Sequence, residues 1–188
     1  MRRFILGWKA LGHEARFQAR IVNYADDFVI CCRRSAEQAA AAMRDMMARL
    51  KLTVNEEKTH ICHDPQEHFD FLGYTLGRRW SPVTGRAYIG AWPSRKKVKR
   101  LCRKISEQTE RRWCWRDYET QVVTLNRMII GWSNYFCLGP VSRCYRAIDA
   151  HSRKRLRQWL RRKHLIKDRG TSRFSDRYLY TTLVLHLN

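Results

Sequence analysis

The stretch RIVNYADDFVICC, residues 20–32, decides how the first part of this chain is expected to fold. Apolar runs at 21–22 and 28–31 flank Asp26 and Asp27 and favour two short antiparallel strands. The acidic pair would then lie at the tip of a hairpin, with both carboxylates exposed and close together. Because an isolated Asp-Asp pair is usually a solvated turn, its meaning depends on the surrounding sequence.

Helical patterns flank the predicted hairpin. Apolar residues recur at three- and four-residue spacing between residues 4 and 17, as on one face of a helix. After the hairpin, Ser35 and Gln38 form a capping-box pattern ahead of an Ala-rich helix. The apolar positions of that helix, at 43–50, would face the sheet. Short strands are expected at 60–62 and 88–90, and another strand or a turn at 69–74.

The sequence changes character near Pro93, where a basic helical region begins. Helices are predicted from Ser94, from about Asp117 and from about Val141, each with apolar residues at helical spacing. They suggest a three-helix bundle. Beyond Lys163 the pattern is too loose to interpret, although 178–187 could be a strand.

Composition indicates a nucleic-acid partner. The chain has 38 Lys and Arg against 17 Asp and Glu, a formal charge of +21 that is far beyond what solubility needs. Its apolar runs are too short to cross a membrane, so no membrane partner is expected. The seven cysteines form no CxxC pair, which favours reduced thiols and a cytoplasmic protein.

Four motifs, in order, resemble those of group II intron reverse transcriptases, which are also maturases. YADD at 24–27 is similar to the YxDD motif, and LTVNEEKT at 52–59 to the LxxNxxKT segment that closes the palm. FLGY at 71–74 looks like the primer-grip turn, and GWSNYF at 131–136 like the GWxNYY signature of domain X. The resemblance implies an α+β fold: a truncated palm of antiparallel hairpins with covering helices at 1–92, then an all-α thumb and domain X at 93–188.

The resemblance implies roles for the hairpin. Asp26 and Asp27 would be metal-binding carboxylates of an RNA-directed DNA polymerase that uses Mg²⁺ and dNTPs. Tyr24 and Ala25 would lie near the incoming nucleotide and the primer end. Lys58, the palm lysine, could stabilise the triphosphate or the hairpin, and a structural ion pair is the favoured interpretation.

The primer grip and the basic helices would bind nucleic acid. Phe71, Gly73 and Tyr74 would hold the primer strand, although Phe71 could equally be a core residue. The cations of the first basic helix would bind intron RNA or a primer–template duplex; they are Lys96, Lys97, Arg100, Arg103 and Lys104. Trp132 and Tyr135 are expected to pack the thumb core.

One departure from the family pattern affects catalysis. The family has a further metal-ligating Asp on an earlier palm strand, yet the 23 residues before Tyr24 contain no Asp. We therefore expect that this polypeptide alone does not polymerise. It could be a truncated product or be complemented by a separately encoded fingers–palm half. The alternative function is a non-catalytic RNA-binding module that assists intron splicing.

Overall fold

The computed structural model describes residues 1–63, 66–167 and 171–181. The chain divides into two compact units, Met1–Glu67 and His68–Asn188. Two small antiparallel sheets and seven α-helices are present in the described parts, which confirms the α+β class. The second unit holds both a sheet and the basic helices, and a domain boundary near Pro93 stays a prediction.

The first unit is built on the hairpin that the sequence predicts. Strand β1, Ala19–Tyr24, pairs with β2, Asp27–Cys32, and the last pair of the ladder joins Tyr24 to Asp27. The predicted helix at 4–17 is divided in two, α1 at Arg2–Ala10 and α2 at His13–Arg16. Gly12 separates them with a φ of +70°, a left-handed conformation that ends α1.

Helix α3, Ala36–Arg49, packs with the hairpin into one apolar core, as expected. The core is formed by rings from α1 and by methionines from α3; its buried members are Phe4, Trp8, Phe17, Ala19, Ala39, Met43, Met46 and Met47. The capping box predicted at Ser35 is wrong. Ser35 has a φ of +42° and its side chain makes no capping hydrogen bond, because this geometry differs from the extended backbone of an N-cap.

The strand predicted at 60–62 is also wrong, since these residues lie outside any strand. A turn precedes them: the Lys58 amide donates to Asn55 O at 3.1 Å and to Asn55 Oδ1 at 3.2 Å. The Thr59 hydroxyl also donates to Asn55 O, at 2.9 Å. Three apolar-alternating residues after such a turn are too few to specify a strand.

The second unit begins with a three-stranded antiparallel sheet in the order β3-β4-β5. The strands are β3 at Phe69–Phe71, β4 at Tyr74–Trp80 and β5 at Ala87–Pro93. They confirm the strand predicted at 88–90, and the segment 69–74, expected as a strand or a turn, contains β3, a turn and the start of β4. A two-residue turn, Leu72-Gly73, joins β3 to β4, and Phe71 pairs with Tyr74 across it.

Three long helices follow the sheet, as the sequence predicts. They are α4 at Arg95–Gln108, α5 at Tyr118–Tyr135 and α6 at Ser142–Lys163, with a short 3-10 helix at Arg111–Trp113. Ser94 caps α4 and Asp117 caps α5, each side chain accepting from a backbone amide three residues later. Within the described parts of the chain, no helix is long and apolar enough to cross a bilayer.

These helices share one core with a last short helix. The buried members of this core are Leu101, Ile105, Val122, Leu125, Ile129, Ile148, Leu156, Trp159, Leu160, Phe174 and Leu179. Residues Asp176–Thr181 form α7, so the strand considered from residue 178 is wrong there, because Leu179 packs into a helical core. Positions 182–187 lie outside the described residues.

Candidate nucleic-acid interface

The acidic pair lies at the tip of the β1–β2 hairpin, as predicted. Asp26 is in the two-residue turn, Asp27 is the first residue of β2, and both are exposed. Ala25, the other turn residue, has a φ of +51°, a conformation that L residues adopt at a cost of about 1–2 kcal/mol. This tight reversal places both aspartates at the exposed tip of the hairpin.

The two faces of the hairpin differ in what covers them. Phe28 and Ile30 face the core of the first unit. Alternation along the strands places Asp27 on the opposite face, together with its pair partner Tyr24. Tyr24 is 65% exposed and Val22, on the same face, is also exposed. The hairpin therefore presents an aromatic ring and a carboxylate on its solvent side.

The residues present fit a divalent metal only in part. Carboxylate oxygens are hard ligands that suit Mg²⁺, so Asp26 and Asp27 are suitable in kind. A metal site needs more donors, and across the described ranges no group of three or more His, Cys, Asp or Glu side chains gathers closely enough to hold an ion. Further ligands would have to be supplied by residues other than these.

Lys58 is exposed, in the turn that starts at Asn55. In the described part of the chain no ion pair of Lys58 is seen, so the structural ion pair expected for it is not found there. The ion pair of this segment instead joins Glu56 to Arg44 of α3, with 2.8 Å between Arg44 Nη2 and Glu56 Oε2. The hydrogen bond from Arg44 lowers the pKa of the Glu56 carboxyl.

In the second unit, the FLGY turn is fastened to the end of α5 by two tyrosine hydroxyls. Tyr74 Oη donates to Tyr135 O at 2.6 Å, and Tyr135 Oη donates to Leu72 O at 2.8 Å. The buried Tyr74 ring also lies 5.0 Å from the Phe136 ring, centroid to centroid. Burial raises the pKa of the Tyr74 hydroxyl, which keeps it a hydrogen-bond donor. Tyr74 therefore holds the turn in position from its buried side. Phe71, at the start of the turn, is half-buried.

Gly73 brings this turn against the first basic helix. Its φ is +85°, and a Cβ built on it would lie 2.9 Å from Lys97 Cε and 3.2 Å from Phe136 Cζ. The Gly73 carbonyl also accepts from the Ser94 amide, the N-cap of α4, at 2.9 Å. Only glycine therefore allows both the backbone conformation and this close approach.

A groove between α4 and α5 continues from this contact. Its volume is about 300 Å³, and its lining comprises Lys97, Arg100, Leu101, Lys104, Met128, Trp132 and Phe136. The three cations come from one stripe of α4, since residues three and four apart share a helix face. The apolar lining comes mainly from α5. The groove therefore combines a row of positive charge with an aromatic wall.

The structure divides the five cations predicted on α4. Lys97, Arg100 and Lys104 line the groove, whereas Lys96 and Arg103 do not. Arg103 is paired with Glu107, with 3.6 Å between Arg103 Nε and Glu107 Oε1. A role for Lys96 and Arg103 in nucleic-acid binding stays a prediction.

Sequence reasoning missed how the GWSNYF segment contributes to the groove and to the FLGY turn. Trp132 is half-buried and packs on Phe136, with centroids 4.5 Å apart, close to its expected core role. Tyr135 was expected in the core but is 54% exposed, because its hydroxyl reaches out to the FLGY turn. Phe136 lines the groove. The aromatic residues at 132–136 were visible in the sequence as candidates for such contacts. Helical periodicity, however, cannot show that they contact the FLGY turn.

We expect Gly73→Ala to destabilise the second unit by about 1–2 kcal/mol, because alanine is strained at this positive φ. The added methyl would also displace Lys97 from the turn. Thermal unfolding followed by circular dichroism measures the effect. Gly131→Ala is the matched control: it is the same chemical change within helix α5, into open space, and should be neutral or slightly stabilising. Equal losses of stability in the two variants would contradict this account.

Comparison with known families agrees with the order of these features. The model of a family described as reverse transcriptase (RNA-dependent DNA polymerase) matches residues 5–76, which include the acidic hairpin and the FLGY turn. The model described as group II intron, maturase-specific domain matches residues 98–178, which include most of α4 and all of α5 and α6. A comparison with curated proteins gives no match. With both family models matched in succession, the chain belongs to the group II intron reverse transcriptases/maturases.

Proposed function

We propose that this protein binds intron RNA, or an RNA/DNA primer–template, through the α4–α5 groove and the FLGY turn beside it. The observation that carries the proposal is the row of Lys97, Arg100 and Lys104 along a groove with Trp132 and Phe136 in its lining. Cations bind phosphates, and aromatic rings suit bases or sugars, so the lining matches the two chemical parts of a nucleotide.

Two further features support this assignment. Lys97 lines the groove and is half-buried, with its Cγ and Cε against Gly73, so its stem is partly ordered and loses less conformational entropy on binding. The whole chain carries a formal charge of +21, which favours association with a polyanion and makes affinity depend steeply on salt. Phe71, Gly73 and Tyr74 act by shaping and holding the turn next to these cations.

The catalytic part of the proposal concerns the hairpin. Asp26 and Asp27 serve as carboxylate ligands of Mg²⁺ in a complete polymerase active site that uses dNTPs, with Tyr24 and Ala25 next to the reacting strand. Their exposure at a tight turn supports this role. Because they supply only part of a donor set, the remaining ligands come from a longer chain or a separately encoded fingers–palm half. Lys58 contributes positive charge near the triphosphate.

A second candidate function is a non-catalytic RNA-binding module that assists intron splicing. One observation favours it: the groove and the FLGY turn belong to a compact unit with its own apolar core, His68–Asn188, which contains neither Asp26 nor Asp27. RNA binding would then need no active carboxylate. The two candidates share the RNA-binding surface and differ only in whether the hairpin acts.

A paired measurement with the purified chain separates these functions. With an RNA template, a DNA primer, dNTPs and Mg²⁺, we expect no primer extension by the 188-residue chain alone. In a binding titration with labelled RNA, we expect tight binding, and Asp26→Asn should change the affinity by less than about twofold, since an exposed turn carboxylate holds no phosphate.

The outcomes are distinct. Extension that Asp26→Asn abolishes would show that the chain holds a complete active site and would contradict the partial donor set. Absence of RNA binding at low salt would refute the proposed function as a whole. Equal weakening of RNA binding by Asp26→Asn and by neutralised groove cations would refute the division of roles between hairpin and groove.

A further inference from the structure

The loop between α4 and α5 has a sequence unlike the rest of the chain. It reads RRWCWR at residues 111–116, two tryptophans among three arginines. It follows the C-terminal end of α4 and precedes α5, whereas the groove is formed by the start of α4 and the end of α5. The groove extends along α4 as far as Lys104, roughly 7 Å of helix rise before Thr109, and it begins on α5 at Met128, roughly 16 Å after Asp117, so the loop lies at the other end of this helix pair.

The backbone of this loop is held in place from two sides. Lys163 Nζ, at the end of α6, donates to Cys114 O at 3.1 Å and to Arg116 O at 2.6 Å. Trp113 Nε1 donates to Glu107 O at 3.0 Å, which ties the loop to α4. A lysine used in this way fixes the conformation of the chain around residue 115.

The two tryptophans differ in what covers them. The Arg116 guanidinium lies 3.6 Å from the centroid of the Trp113 ring, and Arg112 lies 5.3 Å from the same centroid, so Trp113 is a half-buried, cation-covered ring. Trp115 is 75% exposed, more than any other aromatic residue among the exposed apolar side chains of the described residues. Leaving a large ring in water on an anchored loop forgoes the burial that normally stabilises tryptophan.

We infer that Trp115 is a stacking platform for an unpaired base of RNA, a binding site separate from the α4–α5 groove. The inference rests on the proposed function in that it assumes RNA as the partner. A base offers a flat ring of matching size, and stacking on an aromatic side chain tolerates any base. Trp113 and Arg116 support the platform: the two indole rings are 6.3 Å apart, and Arg116 lies 5.7 Å from the Trp115 ring.

The surrounding charge favours RNA over a protein partner. Arg111 and Arg112 are exposed in the same loop. The acidic residues of the loop are already engaged, since Glu110 is 3.0 Å from Arg112 and the Asp117 carboxylate accepts from the Thr120 amide and hydroxyl. Arg116, 5.7 Å from the ring centroid, and the exposed Arg111 of the same loop are cations that can neutralise the phosphates on either side of a stacked base. Duplex RNA, whose bases are already stacked, would gain nothing from the platform.

Fluorescence anisotropy with two labelled RNAs tests this inference on the full chain. One RNA is a short single strand without secondary structure, and the other is a duplex of the same length. We expect Trp115→Ala to weaken binding of the single strand at least about fivefold and to leave duplex binding within about twofold. Trp115→Phe should retain most of the affinity for the single strand, because it keeps an aromatic face.

Trp80→Ala is the matched control, because Trp80 is a similarly exposed tryptophan, 67% exposed, at the end of β4. It should change neither affinity. The salt dependence of binding should be the same for Trp115→Ala and the wild type, since no phosphate contact is removed. Far-ultraviolet circular dichroism verifies that both variants fold.

Each outcome bears on one claim. Unchanged single-strand affinity in Trp115→Ala, or an equal loss in Trp80→Ala, overturns the inference and leaves Trp115 as a surface for a protein partner. Equal weakening of single-strand and duplex binding overturns it as well. If the wild type binds neither RNA, the proposed function itself fails. This outcome is seen in the wild type alone, so it is distinct from a failure of the Trp115 inference.

Discussion

Replacing Trp159 by alanine is expected to lower the free energy of unfolding of the second unit by about 3–5 kcal/mol. Trp159 lies on α6 and is fully buried in the core shared by α4, α5 and α6, where Leu125 and Ile105 are also inaccessible to solvent. Removing the indole leaves a cavity that the surrounding helices can fill only partly, so both transfer energy and packing are lost. Urea denaturation followed by circular dichroism gives the change in free energy.

Trp80→Ala is again the suitable control, because it removes the same side chain from the surface. Its free energy of unfolding should lie within about 0.5 kcal/mol of the wild type. A loss of less than about 1 kcal/mol in Trp159→Ala would show that the three helices do not share this core. Because the groove is formed by α4 and α5, the unstable variant should also bind RNA less well near its unfolding transition.

The largest effect on binding is expected when the groove cations are neutralised together. The triple variant Lys97→Gln, Arg100→Gln and Lys104→Gln should bind RNA on the order of a hundredfold more weakly at low salt. Each cation that contacts a phosphate releases about one counterion, so the slope of log affinity against log salt should fall by about three. Titrations with labelled RNA at several salt concentrations measure both quantities.

Helix α4 itself offers a control with the same change in charge. Lys96→Gln, Lys99→Gln and Arg103→Gln removes three cations of α4 that do not line the groove. If the groove binds RNA, this variant should lose at most about tenfold in affinity, through the general field of the protein. Similar losses in the two triple variants would mean that α4 binds through charge alone and that the groove has no special role.

Much of the fold could be predicted because local signals agreed with tertiary packing. The YADD hairpin formed because apolar strands flank two turn-forming residues, and the helices beginning after Ser94 and Asp117 have side-chain caps. The start of α6 was predicted from periodicity alone. In each case a single stretch of sequence contained the whole signal.

Predictions failed where a distant contact or a backbone conformation decides the outcome. Ser35 has the sequence of a cap but adopts a left-handed φ of +42°, which no side-chain pattern reveals. The segment from residue 178 was considered as a possible strand on a loose pattern, yet Leu179 packs into the core as part of a helix. These are cases in which tertiary packing overrides local preference.

The candidate site was predictable as a set of residues but not as an arrangement. The sequence identified the FLGY turn, the basic helix and the GWSNYF segment separately. Their meeting depends on two tyrosine hydroxyls and on the close approach of Gly73 to Lys97. The same geometry separates Lys97, Arg100 and Lys104 from Lys96 and Arg103, a division that a linear run of cations does not show.

The measurement that tests the central claim most directly is lysine footprinting of the wild-type chain with an amine-reactive reagent, with and without bound RNA. If RNA occupies the α4–α5 groove, Lys97 and Lys104 should be protected when RNA is bound. Lys99, exposed on another face of the same helix, should react equally in both states. Equal modification of Lys97 and Lys104 with and without saturating RNA would contradict the account.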